Sequence, residues 1–137
     1  MAWLLDTNAV ITLVTRRSDA LLRRVEAAEP GTLAVSSIVA HELYFGAYRS
    51  QKIEFDLETL RLLFADLVIL ELDREDARIA GVISATLARQ GTPIGPYDAL
   101  IAGQTKARSA TLVTNKLSEF QRVDGLEIED WTQPYSP

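Results

Sequence analysis

The strongest constraint on this chain is an alternation. Short strand-like runs, none longer than four residues, are separated by longer stretches of helical period. The runs are Trp3–Leu5, Thr32–Val35, Leu67–Leu70, Thr111–Val113 and Leu126–Glu129. Helical patterns fill the gaps: Asn8 to about Thr15, Asp19 to Glu29, Ser37 to Arg49, Glu54 to Phe64, Asp73 to Gln90, Tyr97 to Arg108, and Leu117 to Gln121. Parallel neighbours need crossover connections and a hairpin cannot supply them, so the alternation predicts an α/β fold on a parallel sheet. The punctuation agrees. Pro30-Gly31 ends one helix, Ser36-Ser37 offers an N-cap, and Gly91-Thr92-Pro93-Ile94-Gly95-Pro96 breaks the pattern sharply. The buried stripes are expected at Leu21, Leu22 and Val25, at Leu57, Leu60, Leu63 and Phe64, and at Ala77, Ala80, Ile83 and Leu87.

The 137 residues, 1–137, read as a single domain, long enough to bury a core without covalent staples. No cysteine is present. That excludes a disulfide framework, a thiolate metal site and a cysteine nucleophile, and it fits a reducing, cytoplasmic setting. No uncharged run approaches the roughly 18 residues of a membrane span, and the N-terminus does not read as a signal peptide. Fourteen Lys and Arg against nineteen Asp and Glu give a net charge of −5. Nucleic-acid affinity driven by global charge is thereby disfavoured; an acidic, cation-binding pocket is not. The basic pairs Arg16–Arg17, Arg23–Arg24 and Lys106–Arg108 read first as solvated helix faces.

In parallel α/β sheets functional groups collect at the carboxyl ends of the strands. Asp6 directly follows the first, central strand, where it either caps the next helix or serves a site. A phosphotransferase of the two-aspartate type needs a second Asp two residues on, and that position is Asn8. Glu42 lies on a helix stripe otherwise made of Ile38, Val39, Phe45 and Gly46, an expensive place for a carboxylate without a partner or a metal. Asp98 opens the nearly uncharged helix that follows the rigid loop, as a cap or as a group held at a cleft. Thr114 and Asn115 follow the fourth strand, and Glu119 comes one turn later.

The single histidine, His41, cannot build a zinc site, and neither a P-loop nor a dinucleotide fingerprint occurs. What remains is a set of carboxylates: Asp6, Glu42, Asp98 and Glu119. At ~4 Å and an effective dielectric of ~20, each pair would repel by roughly 4 kcal/mol. A hard divalent cation, Mg2+ or in its place Mn2+, offsets that repulsion, activates water and stabilises charge on a phosphoryl centre.

Four stretches carrying these residues resemble the VapC-type PIN-domain ribonuclease toxins: LLDTNAVI at Leu4–Ile11, SSIVAHELYFGA at Ser36–Ala47, RQGTPIGPYDALIAG at Arg89–Gly103, and TLVTNKLSEFQRVDGLEIEDW at Thr111–Trp131. LDTN alone has little specificity; the four in order carry the likeness, which spans the whole chain. The resemblance implies an α/β/α sandwich around a central parallel sheet, with metal carboxylates at Asp6, Glu42 and Asp98. It also implies ligand-orienting roles for Thr7, Asn8 and Thr114, with Asn115 beside them, and an auxiliary catalytic acid at Glu119. By the same resemblance the protein is a Mg2+-dependent endoribonuclease that cuts structured RNA, chiefly tRNA in the anticodon loop. It is a homodimer restrained by a VapB-type antitoxin, and operator DNA is bound only through that complex. Lys116 departs from the pattern, since close relatives carry Asn there; it is expected to modulate metal or phosphate binding. The competing reading is a catalytically weak dimer that acts with its partner as a DNA-bound autorepressor, and the intact carboxylates disfavour it. Tyr44, Phe45 and Tyr48, with Leu57, Leu60, Leu63 and Phe64, are expected to supply the dimer face.

Overall fold

The computed structural model describes residues 2–134. The elements in order are β1 (Trp3–Leu5), α1 (Thr7–Val14), α2 (Asp19–Ala27), β2 (Leu33–Ser36), α3 (Ser37–Tyr48), α4 (Ile53–Ala65), β3 (Val68–Leu70), α5 (Arg74–Arg89), α6 (Pro96–Ala107), β4 (Thr111–Val113), α7 (Leu117–Phe120) and β5 (Glu127–Glu129). Every run expected as a strand is one, and each expected helix forms with ends shifted by a few residues at most. The two-proline tail expected to be loosely held lies in part, at 135–137, outside the described residues. Among the described residues no helix is long and apolar enough to cross a membrane.

The five strands form one parallel sheet in the order β3-β2-β1-β4-β5. The chain therefore winds outward from β1 to β2 and β3, then returns to β1's other edge for β4 and β5. The order reverses between β1 and β4, and a crevice opens at such a switch point beyond the strands' carboxyl ends. Leu4 and Leu5 of β1, Ala34 and Val35 of β2, and Leu112 and Val113 of β4 are buried, as strands covered on both faces must be. Leu21, Val39, Leu60, Ile83, Leu87, Ile101 and Phe120 bring the helices onto this sheet as one core.

Two local devices set where the site helices lie. Pro96 occupies the first turn of α6 behind Gly95, which starts the helix one residue earlier than expected. Gly103 lets α6 approach α5 closely: a Cβ there would stand 2.6 Å from the Cβ of Ala80.

Three packing expectations need correction. Ala77 is exposed, and the buried residue in the first turn of α5 is Asp76. Phe45 and Gly46 are exposed, so Glu42 sits at the half-buried edge of its helix and not on an apolar stripe. Leu60 is buried, and Leu57, Leu63 and Phe64 pack against the core. The apolar surface of α3 and α4 consists instead of Tyr44, Phe45, Tyr48, Ile53, Phe55 and Leu62. A stripe at helical spacing belongs to the core first, and the residues between its members face outward.

Candidate active site

Asp6 extends β1 by one residue, its N–H donating to the Val113 carbonyl at 3.1 Å. Its side chain is only 2% exposed. Oδ1 accepts the Ala9 N–H at 2.8 Å, capping α1, and Oδ2 accepts the Thr114 hydroxyl at 2.6 Å. The capping role and the position at the switch point thus coincide. Thr114 is itself fixed by its N–H on the Glu129 carbonyl, at 3.0 Å, and its Oγ1 accepts the Lys116 N–H at 2.9 Å.

Asp98 caps nothing; the N-cap position of α6 is Gly95, which has no side chain to offer. The Asp98 carboxylate stands at the helix's first turn with Oδ2 3.4 Å from Lys116 Nζ. Burial pushes the Asp6 carboxyl above its ordinary value. The Thr114 hydroxyl, the Ala9 amide and the Lys116 charge act against that, the Asp98 charge adds to it, and the net shift is upward. Asp6 is therefore a carboxylate whose charge the fold under-compensates.

Glu42 is reached from the same helix start. The Thr7 hydroxyl, beside Asp6 in sequence, donates to Glu42 Oε1 at 2.9 Å. Glu119 on α7 is half-buried, and its Oε2 is buried without a hydrogen-bond partner among the described residues. Asn8 and Asn115 make no side-chain hydrogen bond among the described residues, and Asn115 is exposed. The structure thus joins Asp6, Thr114, Lys116 and Asp98 in one connected chain, sets Thr7 and Glu42 beside it, and does not tie Asn8 or Asn115 to either. Among the described residues no three acidic or imidazole side chains stand close enough to hold a metal ion as positioned. The cation paired with a site carboxylate is the Lys116 ammonium.

Sequence reasoning missed two polar groupings. His41 Nε2 lies 3.2 Å from Tyr97 Oη, with the rings edge to face at 5.5 Å, so the sequence neighbours of Glu42 and Asp98 meet at the rim. Asp76 is buried under Arg108, which donates from Nε at 3.2 Å and Nη2 at 3.0 Å; the Gln104 amide adds a third side-chain donor at 3.2 Å. A signal for Asp76 was available: Asp73 and Asp76 form a reciprocal capping box, a pattern visible as two acids three residues apart before an apolar run. The expected basic faces are partly absorbed in this way, Arg108 by Asp76 and Arg24 by Glu129 and the Trp131 ring. A wide cleft between Trp3, Arg24, Thr32 and Trp131 includes none of the candidate residues.

A family model described as the PIN domain matches residues 3–126. The tRNA(fMet)-specific endonuclease VapC of Salmonella typhimurium is 37% identical over 131 residues, 96% of this chain and 98% of its own length. Ribonuclease VapC2 of Haemophilus influenzae is likewise 37% identical over 131 residues, with the same coverage. Among solved structures, DNA-bound VapBC from Salmonella typhimurium superimposes with a TM-score of 0.91 at 37% identity, covering 96% of this chain and 98% of that one. VapBC2 from Rickettsia felis, bound to a promoter fragment, gives 0.90 at 33% identity over 96% and 99%.

Proposed function

The chain belongs to the PIN-domain family, in its VapC ribonuclease branch, the toxin half of VapBC pairs, and from that premise we propose that it is a Mg2+-dependent endoribonuclease acting on tRNA in the anticodon loop. The observation that carries the reading is Asp6: a buried carboxylate at the switch point, oriented by Thr114 and the Ala9 amide, with Asp98 near enough to raise its pKa. Carboxylates with perturbed pKa values at the carboxyl ends of parallel strands are enriched at working sites, and Asp6 is one.

In its chemistry the donor set suits a hard divalent cation, around which the side chains would have to draw together, since as positioned no three of the described acids meet. It is all oxygen, Asp6 lacks a direct cationic partner, and Glu119 Oε2 is an orphaned acceptor. Asp6 and Asp98 would hold the metal, and Glu42 would hold it or its water. Mg2+, with Mn2+ able to substitute, supplies Lewis acidity toward the phosphodiester and a water of lowered pKa. Thr114 keeps the Asp6 carboxylate in one orientation, and Thr7 does so for Glu42. Glu119, whose Oε2 has no partner among the described residues, would help to orient the attacking water.

The proposed partner is a VapB-type antitoxin that places an Arg or Lys against the acidic pocket, since a guanidinium can take two carboxylate oxygens at once. The solved VapBC complexes support this pairing, and their DNA-bound forms support contact with operator DNA through the complex. Exposed Phe45, Tyr48, Phe55 and Leu62 support an apolar interface, and a homodimer on α3 and α4 is proposed.

The test incubates the purified protein with total RNA and Mg2+ and sequences the new ends, with EDTA as control. Cuts confined to tRNA anticodon loops and abolished by EDTA are expected. Cleavage that EDTA leaves intact would overturn the metal requirement; no cleavage of any RNA would overturn the enzyme reading in favour of the repressor.

A further inference from the structure

Lys116 is linked to both central carboxylates by different parts of itself, to Asp98 directly and to Asp6 through the Thr114 hydroxyl. Its backbone N–H donates to Thr114 Oγ1 at 2.9 Å, and the same hydroxyl donates to Asp6 Oδ2. Its ammonium lies 3.4 Å from Asp98 Oδ2 and also acts electrostatically on Asp6. As the N-cap residue of α7 it makes no capping hydrogen bond with its side chain. The long side chain is 39% exposed, whereas that of Asp98 is 17% exposed, so the stem reaches from solvent toward a more sheltered acid. The ion pairs Arg108–Asp76 and Arg24–Glu129 lie elsewhere in the fold.

We infer that Lys116 is a tethered competitor of the metal: its ammonium takes Asp98 and screens Asp6 when no divalent cation is bound, and must give way when one enters. This rests on the metal-dependent reading above. A lysine suits the role because its charge is compact, strongly hydrated and carried on a flexible stem, so it can exchange a carboxylate for water without disturbing the backbone. The ammonium relieves the Asp6–Asp98 repulsion, which favours the metal-free protein. It also repels any divalent cation that shares those oxygens, which disfavours the loaded protein. An ordinary surface ion pair would do only the first.

The two effects separate in Lys116→Met, which keeps the stem and drops the charge, and in Lys116→Arg, which keeps the charge. Mn2+ binding to the full chain is read from the electron paramagnetic resonance of free Mn2+, and thermal unfolding is followed in EDTA and in saturating Mn2+. Lys116→Met should bind Mn2+ about tenfold more tightly than the parent, the scale of one removed like charge in a largely solvated site. It should melt below the parent in EDTA and at or above it in Mn2+. Lys116→Arg should bind Mn2+ within about threefold of the parent, because the charge is retained. If Lys116→Met fails to fold in EDTA, Lys116→Gln serves in its place; recovery of either by Mn2+ supports the inference, and failure of both to recover overturns it. Unchanged Mn2+ affinity in Lys116→Met, with the parent binding normally, overturns the competitor role and leaves the metal reading standing. Absence of Mn2+ binding at millimolar concentration in parent and variant alike overturns both.

Discussion

Two aspartates in this molecule are hidden from solvent and treated in opposite ways, Asp6 deep in the fold and Asp76 just beneath its surface. Asp6 is 2% exposed and Asp76 is 0% exposed. Burial opposes ionisation of both. For Asp76 the Arg108 hydrogen bonds, the Asp73 amide, the Arg108 charge and the Gln104 amide outweigh it, and the carboxyl is held below its ordinary value. For Asp6 a hydroxyl, an amide and a more distant lysine do not outweigh it, and the carboxyl is raised. The Asp76 side joins α5 to the end of α6, where charge neutrality serves packing. The Asp6 side lies at the switch point between β1 and β4, where residual negative charge would serve the proposed cation. One acid is completed by the fold; the other keeps a charge that the fold does not fully offset.

The largest expected effect breaks that comparison on the Asp6 side. Asp6→Asn or Asp98→Asn should lower RNA cleavage by about a thousandfold or more, since each removes a proposed metal ligand. The stability of Asp6→Asn in EDTA should hold or rise. The sign follows from the raised pKa of Asp6. The folded state holds the proton more tightly than the unfolded one, so ionisation destabilises the fold as pH rises through the folded pKa. Asp6→Asn is spared that loss, so its advantage over the parent should be greatest at neutral pH and vanish in acid. Parental cleavage rates in either variant, on RNA free of contaminating nuclease, would remove the residue from the site.

Asp76→Asn should show the reverse profile. Its carboxyl is depressed, so the stability it contributes is present above the unfolded pKa near 4 and fades as pH falls through the folded value. Breaking a buried pair costs about 3–5 kcal/mol; with Arg108 one-third exposed, the lower end of that range is expected at pH 7. The difference from the parent should shrink toward pH 3. Denaturant titrations at the two pH values measure this, and the cleavage rate of the folded variant should not change. A stability loss that ignores pH would mean that Asp76 acts by shape alone.

The contrast also shows what the sequence could and could not disclose. Asp6, Thr114 and Asp98 were legible because each stands at a discontinuity, immediately after a strand or at the start of a helix that follows a rigid loop. Asp76 stands in the first turn of a helix whose period pointed to Ala77; its capping box with Asp73 was visible, but its partners Gln104 and Arg108 lie 28 and 32 residues away. A pairing at that separation leaves no local periodicity. The side of β1 on which β4 returns was likewise invisible, because both arrangements share the same alternation; yet that choice places Thr114 on Asp6. The outward face of α4 failed for a third reason. Ile53, Phe55 and Leu62 are as apolar as the stripe beside them, and only packing distinguishes a core residue from one left for a partner.

The smallest effect sharpens the comparison at the one bond that partly completes Asp6. Thr114→Val keeps the shape of a side chain that is 1% exposed but removes the 2.6 Å hydrogen bond to Oδ2 and the acceptor for the Lys116 N–H. The hydroxyl lowers the Asp6 pKa, so its loss must raise that pKa further. A lost bond to a buried charge costs about 1–3 kcal/mol, but Asp6 can escape part of it by taking a proton. The variant should therefore lose about 1 kcal/mol at a pH low enough to keep the acid neutral, and more as pH rises and the acid must ionise unaided. Thr114→Ser, which restores the hydroxyl, should recover the pH dependence of the parent. Nothing comparable is expected around Asp76, because its charge is held by a guanidinium and removing one neutral donor leaves it paired. A Thr114→Val loss that stays constant across pH would show that the hydroxyl does not tune Asp6, and that the difference between the two aspartates comes from burial alone.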